Sequence, residues 1–221
     1  PINVEGTALY NYTEGYGSYL IPAVMMIIIF QTLLMVIGMV TGEEYSSDGI
    51  RTYAPFGHTW AAAIRIVAGK AFVYCGLYAI FSFFLLGLLP YFFSIPNIGN
   101  GLYIVLLMIP YLIATSFLGL AASRYFTDSE APLLMIAFFS VGLIFLSGVS
   151  YPMELMPWYW KAAHYILPAA PATLAFVQLN SMGASMADIR PEYITLWIQV
   201  LVYFILSIWV YQKKLQKSQL R

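Results

Sequence analysis

Long apolar runs alternate with short polar connections along the chain. Five runs lack charged side chains over about the 20 residues a helix needs to cross roughly 30 Å of hydrocarbon. They are Leu20–Thr41, Ala71–Phe93, Leu102–Ser123, Pro132–Tyr151 and Tyr193–Gln212. The pattern predicts an all-α integral membrane fold with five transmembrane helices. Pro110 falls inside the third run, where neighbouring helices can satisfy the carbonyl it frees. Small residues recur four apart at Gly38/Gly42 and at Thr115/Gly119/Ser123, a spacing that lets helices approach closely.

The stretches between runs differ in kind. Residues 1–19 are polar and rich in Gly and Tyr, as at the end of an extracytoplasmic segment. Residues 42–70 predict a loop longer than a turn. In it, Ser47 and Asp48 are candidate N-caps of a short surface helix bearing Ile50, Tyr53, Phe56 and Trp60 on one side. Residues 152–192 carry Pro152, Pro157, Pro168 and Pro171, which forbid one continuous helix. That stretch is too apolar for a free loop. It predicts short re-entrant or interfacial helices on the outer side. Residues 213–221 form a basic tail.

Basic residues set the expected orientation. Arg51, Arg65, Lys70, Arg124, Lys213, Lys214, Lys217 and Arg221 follow the first, third and fifth runs, whereas only Lys161 and Arg190 lie on the other side. The C-terminus and residues 42–70 are therefore expected in the cytoplasm. The N-terminus is then outside with no visible signal, since residues 1–19 hold neither a basic nor an apolar leader segment. A further span upstream, making six, is the expected remedy.

Composition agrees and excludes several functions. Hydrophobic residues are 61% of the 221 and charged residues 9%, against about a quarter charged in soluble domains. Formal net charge is zero, so no nucleic-acid partner is implied. The one cysteine, Cys75, cannot form an internal disulfide. The five runs contain no Asp, Glu, His, Lys or Arg. Ion-driven carriers need such groups at membrane depth, and so do intramembrane hydrolases. His58 and His164 fall on opposite sides of the expected topology and share no metal site. No catalytic residue and no metal site is identified. Tyr74, Tyr78, Tyr111 and Tyr203, with Gln31 and Gln199, either line a path for a lipophilic solute or pack helices. Any transport would draw its energy from outside the chain.

Two segments carry a recognisable pattern. One runs Glu43, Glu44, Gly49, Pro55 and Gly69-Lys70. The other runs Ser147-Gly148, Pro152, Met156-Pro157 and Pro168. With Leu9-Tyr10-Asn11 and Tyr19-Leu20-Ile21-Pro22, they cover nearly the whole chain. In these features it resembles the membrane (permease) subunits of type-2 ABC exporters, of the kind with a large extracytoplasmic domain after the first span. The acidic core of the first segment is looser here than the family's Glu-Arg-Glu-x-Gly-Thr.

The resemblance implies a transport subunit rather than an enzyme. ATP and Mg would be bound by a separate ABC ATP-binding subunit. That subunit would contact the coupling loop at Glu43, Glu44, Gly49 and Arg51, and Lys70 would snorkel at the start of its helix. Pro152, Met156 and Pro157 would shape an outer re-entrant gate. A second permease chain would complete a homo- or heterodimer in the lipid of the bacterial inner membrane, and a periplasmic adaptor is a further candidate partner. Drugs, lipids, polysaccharides and peptides remain open as substrates. A non-transporting scaffold with the same fold is the competing reading, and an intramembrane enzyme is a third.

Overall fold

The computed structural model describes residues 16–46, 57, 59–93, 97–126, 130–151 and 153–218. Among these residues every regular element is helical. In chain order they are α1 (Tyr16–Ser46), α2 (Trp60–Phe83), a π-helical turn (Phe84–Leu88), α3 (Leu89–Phe92), α4 (Gly101–Ala122), α5 (Ala131–Leu146), a 3₁₀ turn (Met153–Leu155), α6 (Trp158–Ile166), α7 (Ala169–Met182) and α8 (Arg190–Ser218). Four helical stretches are long and apolar enough to cross a membrane: Leu20–Glu44, Trp60–Phe92, Gly101–Ala122 and Arg190–Gln216. The pair α6 and α7, bent by 88°, makes a fifth if counted as one broken span. The expected all-helical membrane fold is therefore present, with two of its spans drawn differently.

The second span begins earlier than expected. Helix α2 starts at Trp60 rather than Ala71, because the Thr59 side chain accepts a hydrogen bond from the Ala62 amide and caps it. Ala61, Ala62 and Ala63 follow, residues of high helix propensity. Ala62, Ala63, Ile66 and Val67 are buried at helical spacing, so Arg65 and Lys70 ride on the helix rather than in a loop. Helix α1 in turn runs on to Ser46. Residues 42–46 and 60–70 of the predicted loop are therefore helical. Ser47, Asp48, Ile50, Tyr53 and Phe56, on which the surface helix was drawn, lie outside the described residues, as does His58.

The expected fourth span, Pro132–Tyr151, falls on α5, which is not among the stretches long enough to cross on their own in the described residues. Helix α5 has 16 residues, about 24 Å, and ends at Leu146 rather than Tyr151. The chain turns at Gly148, whose φ of 79° favours glycine. A Cβ there would also come within 2.9 Å of Met153 Cγ.

The core lies where α1 crosses α4, α5 and α7, and α4 packs along α8. Met26, Ile29, Leu33 and Ile37 of α1 are fully covered, as are Leu107, Tyr111 and Leu120 of α4 and Phe176 of α7. Two glycines set the helix approach. A Cβ on Gly119 would meet Ile37 Cδ1 at 2.9 Å, and one on Gly38 would meet Pro132 Cβ at 2.5 Å. These close contacts join α1 to α4 and to α5. Pro90 explains the π turn. Its ring has no N–H and would strike the Leu86 carbonyl in a regular α-helix, and the wider turn, closed by Leu89 N–H to Phe84 O, relieves this.

Candidate functional site

Four helices bring their polar termini to one end of the bundle. Glu44 stands on the last turn of α1 and Lys70 on α2. Ser123 caps α4, and Tyr211 and Lys214 come from the last turns of α8. The Lys70 ammonium donates to both Glu44 carboxylate oxygens, at 2.6 Å to Oε1, and to the Tyr211 hydroxyl at 3.2 Å. Only 13% of the Lys70 side chain and 23% of the Glu44 side chain is exposed. An ion pair this sheltered is screened far less than a surface pair. It ties the last turn of α1 to the body of α2, ten positions past the start of that helix.

Lys214 completes the cluster. Its ammonium donates to the Ser123 carbonyl at 3.1 Å and the Ser123 hydroxyl at 2.9 Å. That places a cation on the carbonyl end of α4, where the helix dipole favours positive charge. Its nitrogen lies 5.2 Å from the centre of the Tyr211 ring, on which Lys70 also lies at 5.2 Å. Beside it, Lys213 stacks on Trp209 at 3.7 Å and Arg124 approaches the same ring at 5.7 Å. Such cation–π contacts hold long basic side chains along the helices. The end of the bundle is thus a braced, basic platform in which the sheltered Glu44 is bound to Lys70.

The expected site residues fall in three groups. Glu43 lies on the exposed face of the last turn of α1, and Glu44 beside it turns inward to Lys70. Gly49, Arg51 and Pro152 lie outside the described residues. Met156 is buried and Pro157 is the exposed residue before α6. Lys70, expected to snorkel at the start of its helix, instead sits well inside α2 and spends its charge on Glu44.

A second polar constellation holds the bent pair α6–α7. Gln199 Nε2 of α8 donates to the Tyr165 carbonyl at 2.8 Å, and the Tyr203 hydroxyl donates to the Ile166 carbonyl. These are the last carbonyls of α6, which have no partner within their own helix. Tyr203 lies 13 positions along α8, about 20 Å from its start, so the turn between α6 and α7 reaches the level of mid-α8. Backbone interrupted at that depth is tolerated only when its polar groups are satisfied by protein. His164 Nδ1 lies 2.8 Å from the Leu146 carbonyl and serves the end of α5 in the same way. On α4, the Tyr111 hydroxyl donates to the Met26 carbonyl at 2.6 Å. Tyr111, Tyr203 and Gln199 are therefore tethers between helices. In the sequence they were readable as polar groups in apolar runs. Their partners are backbone carbonyls, which no side-chain pattern reveals.

Among the described residues no three His, Cys, Asp or Glu side chains gather as a metal centre would need. The charged cluster can bear load between helices or receive a partner. Comparison with curated proteins and with solved structures finds no match. A family model does match: ABC-2 family transporter protein, over residues 1–209.

Proposed function

The chain belongs to the ABC-2 family of transporter proteins, and from that premise we propose that it is the permease subunit of an ATP-driven exporter, worked by a separate ATP-binding subunit at its Glu44 end. The reading is supported by the family match and by one geometric observation, the Glu44–Lys70 tie. Segment 47–59 lies between α1 and α2, and the tie joins the last turn of α1 to the body of α2, ten positions past its start. Movement at the end of α1 is thereby coupled to α2. Through Tyr211 it also reaches α8.

In this reading Glu43, Gly49 and Arg51 meet the ATP-binding subunit and Glu44 transmits. ATP and Mg belong to that subunit. Two permease chains, alike or different, enclose the path in a bacterial inner membrane, with the basic end in the cytoplasm. The turn between α6 and α7, with Met156 and Pro157 before it, forms the outer gate. The uncharged spans favour an apolar or amphipathic solute over a small ion.

The test is co-purification from membranes with an ABC ATP-binding subunit, followed by ATP-dependent uptake of solute into inverted vesicles, whose lumen corresponds to the cell exterior. Complex formation with such uptake supports the proposal. A stable complex without any ATP-dependent movement of solute would favour the scaffold reading instead.

A further inference from the structure

A cleft of about 570 Å³ lies between α2 and α4. It lies within the range of small-molecule sites, about 300–1,000 Å³. Its walls on α2 run from Cys75 to Gly87, and on α4 from Gly101 to Ile113. Each wall is about 18 Å long at 1.5 Å per residue. The hydrocarbon of one leaflet is about 15 Å deep, half of the roughly 30 Å core. The contact of Cys75 Sγ with Ser116 Oγ, 3.5 Å, lies at the floor of the cleft, and Asn97 stands at its upper end.

The lining is apolar and carries no charge. Leu86, Ile104, Met108 and Leu112 are among the side chains of the wall. The π turn contributes Leu86 and Gly87. Gly87 meets only the Phe83 ring, at 3.8 Å, so the backbone leaves room there. The flank of α2 is lipid-like. Ile80 and Phe83 are among its most exposed side chains, and Val105 and Ile109 are exposed on α4. The cleft thus opens sideways onto surface that suits only hydrocarbon. Ser82 Oγ is buried with no hydrogen-bond partner among the described residues, about halfway along.

We propose that this cleft holds one acyl chain of a membrane lipid, its carbonyl end at Asn97–Gly101 and its methyl end at Cys75. Length, lack of charge and lateral opening all fit that occupant. An ion or a soluble metabolite would find no charged group there and only the Ser82 hydroxyl, the Asn97 amide and the Cys75 thiol as polar partners. The inference needs only that the chain is embedded in a bilayer and stands apart from the exporter reading.

The experiment uses the protein in vesicles of phosphatidylethanolamine and phosphatidylglycerol with a trace of palmitoyl phosphatidylcholine carrying a diazirine. One probe has the diazirine at the chain end, the other near the carbonyl. After illumination, adducts are mapped by mass spectrometry. The chain-end probe is expected to mark Cys75 and Leu112–Ile113, and the carbonyl-end probe Gly87 and Gly101–Ile104. Ala79→Trp fills the cleft from its exposed wall and is expected to cut chain-end labelling about tenfold, while Phe72 and Leu77 on the open flank keep theirs. Ser82→Ala is expected to leave labelling unchanged. Equal labelling of cleft and flank, or no effect of Ala79→Trp, would overturn the proposal. Loss of labelling in Ser82→Ala would overturn the acyl chain in favour of an oxygen-bearing lipophile held by that hydroxyl.

Discussion

Lys70 and Glu44, 26 positions apart in sequence, form a sheltered ion pair that joins the last turn of α1 to the body of α2. Exposed ion pairs contribute about 0–1 kcal/mol, whereas breaking a fully buried one costs about 3–5 kcal/mol. At 13% and 23% side-chain exposure the pair lies between. Glu44→Gln and Lys70→Met should each lower stability by about 1–3 kcal/mol. The exchange Glu44→Lys with Lys70→Glu should recover part of the loss. Thermal unfolding in detergent, read as a double-mutant cycle, measures the coupling.

Glu43 and Glu44 should separate. Glu43 is exposed and Glu44 is bound to Lys70. Glu43→Lys is expected to weaken association with the ATP-binding subunit while lowering the melting temperature of the isolated chain less than Glu44→Lys does. Glu44→Lys should lower both. Pull-down yield and thermal unfolding, taken on the same preparations, check the pair.

The tethers to α6 give a third prediction. Tyr203→Phe removes the donor to the Ile166 carbonyl and Gln199→Leu the donor to Tyr165. Each leaves a carbonyl unpaired and should cost about 1–3 kcal/mol. Amide hydrogen exchange should rise in α6 and the start of α7 and stay unchanged in α4. A uniform rise across the bundle would contradict a local tether.

The close approach of α1 and α4 yields a fourth. Gly119→Val places bulk against Ile37 and should cost about 1–3 kcal/mol, with partial rescue by Ile37→Ala. Gly76→Ala, which meets open space, should be neutral or stabilise by up to about 1 kcal/mol. Unfolding midpoints of Gly119→Val, of the same change combined with Ile37→Ala, and of Gly76→Ala are the readout.

The turn before α8 responds to acid. The Ser185 amide and hydroxyl donate to the Asp188 carboxylate at 2.8 and 2.7 Å and hold it below its usual value of 3.8. A depressed carboxylate contributes order that is present above 3.8 and lost as pH falls through the folded value. Exchange of the Ser185 amide, corrected for its intrinsic pH dependence, should show protection above that value and lose it below.

The sequence makes the apolar helices visible because hydrocarbon tolerates so few residue types. It misplaces the start of α2 because Arg65 and Lys70 break the apolar run, although Thr59 and the alanines after Trp60 already spell a capped helix. It misplaces the end of α5 because Ser147-Gly148 is neither charged nor strongly polar, and the turn there depends on a positive φ at Gly148. Glu43 and Glu44 look alike in sequence. Only the orientation of the last turn of α1 sends one outward and the other to Lys70. The tethers at Tyr111, Tyr203 and Gln199 were similarly hidden, since their partners are carbonyls of distant helices.

The central claim is that ATP used by a partner moves this chain through its Glu44 end. Spin labels at Trp60→Cys and Tyr125→Cys, both exposed, report the spacing at that end in a Cys75→Ala background. In vesicles with the ATP-binding subunit, pulsed electron paramagnetic resonance should show the distance distribution shift on adding ATP and Mg, and the shift should vanish in Glu43→Lys. An unchanged distribution while the bound subunit hydrolyses ATP would contradict the account.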